Sequence, residues 1–233
     1  MKPIAIIPAR GGSKRVPRKN VRLFHGKPML AWSIQAAQNS KLFSDVIVST
    51  DDAEISDIAR SFGARVPFVR PPNLSNDSAT TVAVMGHAVQ WLDANELPSE
   101  QLCCIYATAP FLTSADLKRG FEALESSQAD YVYAVTEFDY SPYRGLEKKQ
   151  TGFLGLQHQH LSLTRSQDLP DLVHDAGLFY WARTATWRCE LDILGSNGLG
   201  IPIPKSRAQD IDTEEDWALA AALFSLSKNT PCS

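Results

Sequence analysis

The chain has 233 residues, 44% of them hydrophobic and 21% charged, with a formal net charge of -3. That length suits one α/β core spanning 1–233 and is short for two independent domains, and the composition is that of an ordinary globular protein. A negative balance argues for neither a nucleic-acid nor a membrane partner, since both usually select a basic excess.

The apolar run Ile4-Ala5-Ile6-Ile7 predicts a buried strand from Pro3 to Pro8, ended by the pair Gly11-Gly12. It is too short for a signal peptide and no apolar stretch reaches membrane-spanning length, so a cytoplasmic location is expected. Arg10, Lys14, Arg15, Arg18, Lys19, Arg22 and Lys27 crowd the next stretch, and a basic cluster on an acidic protein suggests a small anion. A helix is predicted over Pro28 to Ser40, with Pro28 in its first turn. A strand over Asp45 to Thr50 leads into a helix capped by Thr50 or Asp51 and stopped at Gly63. Arg65 to Val69 reads as a third strand and Thr80 to Asn95 as an amphipathic helix. Leu102 to Thr108 is a fourth strand, its neighbours Cys103 and Cys104 pointing to opposite faces. A helix capped near Thr113-Ser114 and a strand over Asp130 to Phe138 follow. Such alternation predicts βαβ units and a mostly parallel sheet flanked by helices.

Between about Asp139 and Val173 the rhythm breaks at Pro142, Gly145, Gly152, Gly155 and Pro170, which marks residues 139–173 as a functional excursion. Strands over Ala176 to Ala182 and Leu199 to Lys205 restore order. A last helix over Thr213 to Leu226 is predicted with Asp212 as cap and Glu215 reaching back; the polar tail Ser227 to Ser233 is expected to fray. The four cysteines lack CxxC spacing and read as reduced thiols.

Two segments carry chemistry. Pro8-Ala9-Arg10-Gly11-Gly12-Ser13-Lys14-Arg15 follows the first strand, at the edge where open α/β sheets place ligands. Its glycines let backbone N–H groups approach phosphate oxygens, and Arg10, Lys14 and nearby Lys19 neutralise charge. Neither GxxxxGK[ST] nor GxGxxG is present, so the pattern is not that of a P-loop or of a dinucleotide oxidoreductase. In Gln209-Asp210-Ile211-Asp212-Thr213 an extended backbone presents Asp210 and Asp212 on one side with Ile211 inward, a pair suited to Mg²⁺. The competing reading, Asp212 as helix cap and Asp210 in solvent, stays open at this point. His158 and His160 lack a third ligand at standard spacing, the serines lack a GxSxG context, and the tryptophans read as core. Arg165, in Leu163-Thr164-Arg165-Ser166-Gln167, sits in the excursion where a guanidinium could hold a carboxylate bidentately.

The runs IIPARGGSKRVPRKN, GKPMLAWSI and DVIVSTDD resemble those of the N-acylneuraminate cytidylyltransferases. Ile105-Tyr106-Ala107-Thr108-Ala109-Pro110-Phe111, Thr164-Arg165-Ser166-Gln167-Asp168-Leu169, His174-Asp175-Ala176-Gly177 and the segment from Gln209 to Trp217 look most like the pseudaminic acid branch. The resemblance covers Ile4 to about Leu223. It implies a Rossmann-like nucleotide-diphospho-sugar transferase fold and a homodimer whose excursion packs against the partner. It also implies CTP and an acidic nonulosonic acid as substrates, with Mg²⁺ or another divalent cation such as Mn²⁺. Ala9, Arg10, Gly11, Gly12, Ser13, Lys14, Lys19 and Asn20 match the family's triphosphate site, and Arg70 with Asp77, Ser78 and Ala79 its cytidine contacts. Asp210 and Asp212 match its metal ligands. Tyr106, Arg165, Gln167, Asp175 and Tyr180 fall on the sugar side. Two departures, Tyr106 for the Gln and Ala176-Gly177 for the Asn-Gly of sialate-type enzymes, point away from sialic acid and leave the CTP chemistry untouched. Synthesis of CMP-sialic or CMP-legionaminic acid is the sibling alternative; a catalytically inactive nucleotide-binding protein is the alternative from another class. No residue stands out as a general base.

Overall fold

The structure, a computed structural model, describes residues 1–13 and 15–229; Lys14 and the tail beyond 229, with Cys232, lie outside the described residues. In chain order the elements begin with β1 (Ile4–Pro8), a short antiparallel pair β2 (Leu23–Phe24) and β3 (Lys27–Pro28), α1 (Met29–Ser40), β4 (Asp45–Ser49) and α2 (Ala53–Ser61). Next come α3 (Thr81–Ala94), β5 (Gln101–Ile105), α4 (Ser114–Glu125) and β6 (Tyr131–Glu137). The excursion carries only 3₁₀ turns and a small hairpin, β7 (Leu146–Lys148) with β8 (Leu154–Leu156). The chain closes with β9 (Val173–Arg183), α5 (Thr184–Arg188), β10 (Gly198–Pro202) and α6 (Glu214–Asn229).

Six strands form one sheet in the order β10-β6-β9-β5-β1-β4. β1 runs parallel to β4 and β5, and β10 parallel to β6, while β9 lies antiparallel between β5 and β6. The predicted α/β class and mostly parallel sheet hold, with β9 as the reversed strand. Its direction follows from the excursion: Glu137 pairs with Val173, so the chain leaves and re-enters the sheet at the same end.

The period-two alternation of β1 divides the core. Ala5 and Ile7 pack with Leu30 and Ile34 of α1 and Leu117 of α4; Ile4 and Ile6 pack with Met85, Val89 and Leu92 of α3. Cys103 and Cys104 go to opposite layers, as their adjacency predicts. A third cluster of Val16, Phe24, Met29, Phe111, Ile211, Trp217 and Phe224 seats α6 against the basic turn. All five tryptophans are buried or half-buried, in keeping with core roles.

Several boundaries differ from the sequence reading, each for a local reason. Pro28 stands just before α1, with ψ of 139°, as N-cap and not as a helical residue. Residues 65–69 make only isolated parallel bridges, Ile47 to Arg65 and Thr50 to Val69; Pro67 between them has no N–H to extend the ladder. Because Thr50 is held in that bridge, α2 starts later and its cap is Asp52, whose Oδ1 accepts the Ile55 N–H at 2.9 Å. Gly63, at φ +82°, follows the end of α2 as expected. At α6 the reciprocal cap is Thr213 with Asp216 and not Asp212 with Glu215: the Asp216 N–H donates to Thr213 Oγ1 at 3.2 Å and the Thr213 N–H to Asp216 Oδ2 at 2.8 Å. Asp212 is thereby left for other work.

Candidate active site

The turn after β1 is set by acids at the end of β4. The Gly11 N–H donates to Asp51 Oδ1 at 3.1 Å, and a Cβ on Gly11 would lie 2.6 Å from Asp52 Oδ2, so glycine is required there by close approach. Gly12 faces open space. Ser13 closes the turn on itself, its N–H donating to Gly11 O at 3.0 Å and its hydroxyl to Val16 O at 2.6 Å. Buried Asn20 donates to Arg10 O at 2.9 Å, and Ala9 is buried behind the turn. The expected cradle of free N–H groups is therefore only partly realised, since the Gly11 amide faces a carboxylate. Among the described residues, Arg10, Arg15 and Lys19 bring positive charge to the cavity beside the turn.

Two adjoining cavities share Arg10, Lys19, Asn20 and Asp77. One, of about 410 Å³, adds Ser13, Arg15 and Asp212. The other, of about 250 Å³, runs over Arg70, Thr80, Thr81 and Tyr106. Arg70 is 3% exposed; its Nε donates to Ser75 Oγ at 3.2 Å. Its Nη2 lies 3.7 Å from Asp51 Oδ1, within ion-pair range but beyond hydrogen-bond range, and has no hydrogen-bond partner. Burial lowers the Arg70 pKa, and neighbouring Arg10 adds to that, while Asp51 opposes it. The cavity wall at 76–79 is folded by Asn76, whose Oδ1 accepts the N–H groups of Ser78 at 3.0 Å and Ala79 at 2.9 Å. Asp77 receives Arg10 Nη1 at 2.6 Å.

On the far side stands the acidic segment. Ile211 is fully buried, an anchor contributing roughly 1.5–3 kcal/mol that turns its flanking carboxylates outward. Asp212 accepts from Lys19 Nζ at 3.3 Å and pairs with Arg15 Nη2 at 2.8 Å; Lys19 also donates to Ile211 O at 2.6 Å. Burial and the charge of Asp212 raise the Asp210 pKa, with Lys19 opposing. The segment is held from behind by Arg207, which donates to buried Asp116 at 2.5 and 3.1 Å. Two hard oxygen donors two residues apart suit Mg²⁺ or Mn²⁺, which keeps several waters or substrate oxygens in its shell, and of the two Asp212 lines the cavity. Among the described residues no group of three His, Cys, Asp or Glu is placed to hold a metal, so substrate or water oxygens would complete the shell.

Tyr106 and Tyr180 meet at 5.2 Å between ring centroids. Tyr106 Oη bonds Thr81 Oγ1 at 3.0 Å, and Tyr180 Oη donates to Asp175 Oδ2 at 2.5 Å. Asp175 also accepts the Gly177 N–H at 2.8 Å, pinning a φ of +61° beside the register shift between β6 and β9. Burial pushes both phenols above their ordinary pKa, so they stay neutral donors. Arg165 and Gln167 stand apart: both are exposed on the excursion and line neither cavity. The loop before them is clamped by Arg144, which donates to the carbonyls of Leu161, Ser162 and Thr164. His158 and His160 are neighbours on that same exposed loop, 6.2 Å between ring centroids.

Sequence reasoning missed Asp51, Ser75, Asn76, Asp116 and Arg207. Asn76 had a readable signal, an Asx turn four residues before the Thr80 cap of α3. Asp116 and Arg207 are 91 residues apart and had none.

A mostly parallel sheet with basic and acidic walls beside the carboxyl end of β1 defines an α/β protein with its cleft where open sheets place ligands. A sequence model described as cytidylyltransferase matches residues 4–174, and the chain belongs to that family. Among curated relatives, a pseudaminic acid cytidylyltransferase of Campylobacter jejuni is 39% identical over 227 residues, 97% of this chain and 98% of that one. An N-acylneuraminate cytidylyltransferase of Oncorhynchus mykiss is 31% identical over 93% of this chain and 49% of its own. Among solved structures, CMP:2-keto-3-deoxy-manno-octonic acid synthetase complexed with CTP superposes with a TM-score of 0.73 at 15% identity, covering 97% of this chain and 100% of that one. A 4-diphosphocytidyl-2C-methyl-D-erythritol synthase of Anaerococcus prevotii gives 0.62 at 15% identity, covering 96% and 99%. These two likenesses show the fold, the expected nucleotidyltransferase architecture.

Proposed function

We propose that the chain joins CMP from CTP to an acidic nine-carbon sugar, pseudaminic acid, and releases pyrophosphate, acting as a homodimer in the cytoplasm. The observation that carries this reading is the pair of adjoining cavities. Arg10 and Lys19 stand at their junction, buried Arg70 at one end and Asp212 at the other. That is the layout for a nucleoside at one end and its phosphates at the other. The pseudaminic acid relatives, alike over nearly the whole chain, support the choice of sugar.

In this reading the sugar's anomeric hydroxyl attacks the α-phosphorus of CTP in line with the departing pyrophosphate. Such transfer rests on positioning and charge neutralisation more than on covalent chemistry. Arg10, Lys14 and Lys19 neutralise phosphate charge as it shifts toward the leaving group. Arg70 and the wall Asp77-Ser78-Ala79 hold the cytidine. Asp210 and Asp212 would hold Mg²⁺ or Mn²⁺, which when bound screens phosphate charge and acidifies a hydroxyl. Tyr106, Tyr180 and Asp175 orient the sugar; Arg165 and Gln167, outside both cavities, are left without a role in a single protomer. The unpaired cysteines among the described residues suit a reducing compartment. The excursion's exposed Tyr140 (88%), Phe153 (75%) and Leu163 (97%) support its place at the dimer interface.

The test is mass spectrometry of products formed from CTP, Mg²⁺ and a panel of pseudaminic, sialic and legionaminic acids. CMP-pseudaminic acid with equimolar pyrophosphate is expected. Product from another sugar alone would replace the substrate, and CTP binding with no pyrophosphate from any sugar would remove the enzyme.

A further inference from the structure

Asp51 has no role in the reading above, yet it lies beside both Arg70 and the Gly11 turn. The motif around it offers three consecutive helix-capping residues, Thr50, Asp51 and Asp52. The structure uses two of them elsewhere: Thr50 bridges to Val69, and Asp52 caps α2. The carboxylate of Asp51, its side chain 32% exposed, is thereby left free of capping. One of its oxygens, Oδ1, accepts the Gly11 N–H at 3.1 Å and faces Arg70 Nη2 at 3.7 Å.

Both partners need it. Arg70 carries a charge almost wholly out of water, beside the like charge of Arg10, and Asp51 is its ion-pair partner. A buried guanidinium without an anion is strongly unfavourable and would reorient or draw in water. Gly11 lies at the bend of the turn that carries Arg10, and its N–H holds that turn against the end of β4. A single carboxylate oxygen thus lies 3.1 Å from the amide of the turn and 3.7 Å from the arginine.

We propose that Asp51 is a positioning residue that sets Arg70 and the Gly11 turn in register, so that the cytidine end and the phosphate end of one nucleotide are recognised together. The inference rests on the CTP-binding reading of the cleft. It makes the acid a determinant of CTP affinity through two other groups, touching neither substrate nor reacting atoms.

The experiment is calorimetric titration of Mg²⁺·CTP into the full chain and its D51N, D51A, R70A and D51A/R70A variants, with turnover and thermal unfolding measured alongside. Asn at position 51 keeps an acceptor for Gly11 and loses the charge facing Arg70; Ala loses both. CTP affinity is expected to fall about tenfold in D51N and further in D51A, with kcat at saturating CTP within threefold of wild type and KM rising in step. In the R70A background the loss on removing Asp51 is expected to shrink to the share carried by Gly11 alone. A role confined to stability would instead lower the unfolding temperature and leave KM unmoved. Wild-type CTP affinity in D51N, or fully independent effects of D51A and R70A, would overturn the proposal. If the wild-type chain itself binds no CTP, the reading of the cleft fails as well. If it binds and turns over normally while D51N is silent, only this inference falls.

Discussion

At the scale of single residues, Asp212 shows how local chemistry frees a side chain from capping a helix. Two carboxylates with period-two spacing around an apolar residue were legible in the sequence; whether Asp212 capped the last helix was not. The outcome turns on Thr213, one position later, whose hydroxyl and N–H form the reciprocal pair with Asp216. Asp212→Asn should therefore leave the α6 cap intact and cost about 0–1 kcal/mol, the share of its partly exposed pairs with Arg15 and Lys19. Metal-dependent turnover should fall at least roughly 100-fold. Titrating Mg²⁺ against turnover, with thermal unfolding as control, checks both, and normal activity would remove the metal assignment. The contact between Asp51 and Arg70 lay beyond reach, because local propensity favours Asp51 as a cap and only the bridge from Thr50 to Val69 displaces that use.

At the scale of elements, most strands and helices follow from alternation and apolar spacing, and the errors gather at their ends. Pro67 turns an expected strand into two bridges, a consequence of its missing N–H that the sequence does state. The element behind the acidic segment is less readable. Arg207, in a single 3₁₀ turn, reaches α4 to pair with Asp116, which is 2% exposed and also completes the α4 capping box with Thr113. Burial alone would raise the Asp116 pKa, but hydrogen bonds from Arg207 and Thr113 outweigh it and hold the group below its ordinary value. With the folded pKa depressed, its stabilisation is complete above the unfolded value of about 4 and is lost as pH falls through the lower folded value. Asp116→Ala should cost about 2–4 kcal/mol at neutral pH, less than a fully buried pair because Arg207 and Arg119 are partly solvated. Urea unfolding should show that deficit shrinking below pH 4; a constant deficit would assign the loss to packing.

At the scale of the whole molecule, the α/β class was legible because buried parallel strands and amphipathic helices alternate at regular intervals. The direction of β9 was not, since nothing in residues 173–183 encodes which way a strand runs. The excursion decides it and leaves large apolar side chains bare, Leu163 at 97% exposure above all. If the excursion forms the proposed dimer interface, replacing Leu163 or Phe153 by Asp should yield monomers in sedimentation velocity while leaving the unfolding temperature of the core nearly unchanged. A wild-type monomer, or dimers that persist in both variants, would refute the proposed interface.

The rung that joins Glu137 to Val173 has an evolutionary corollary. Since the excursion begins and ends at adjacent positions of one ladder, its length can drift with only a slow, logarithmic entropic cost and no change in strand order. The segment can thus be exchanged like an interchangeable tool head, while the six-stranded handle stays as it was.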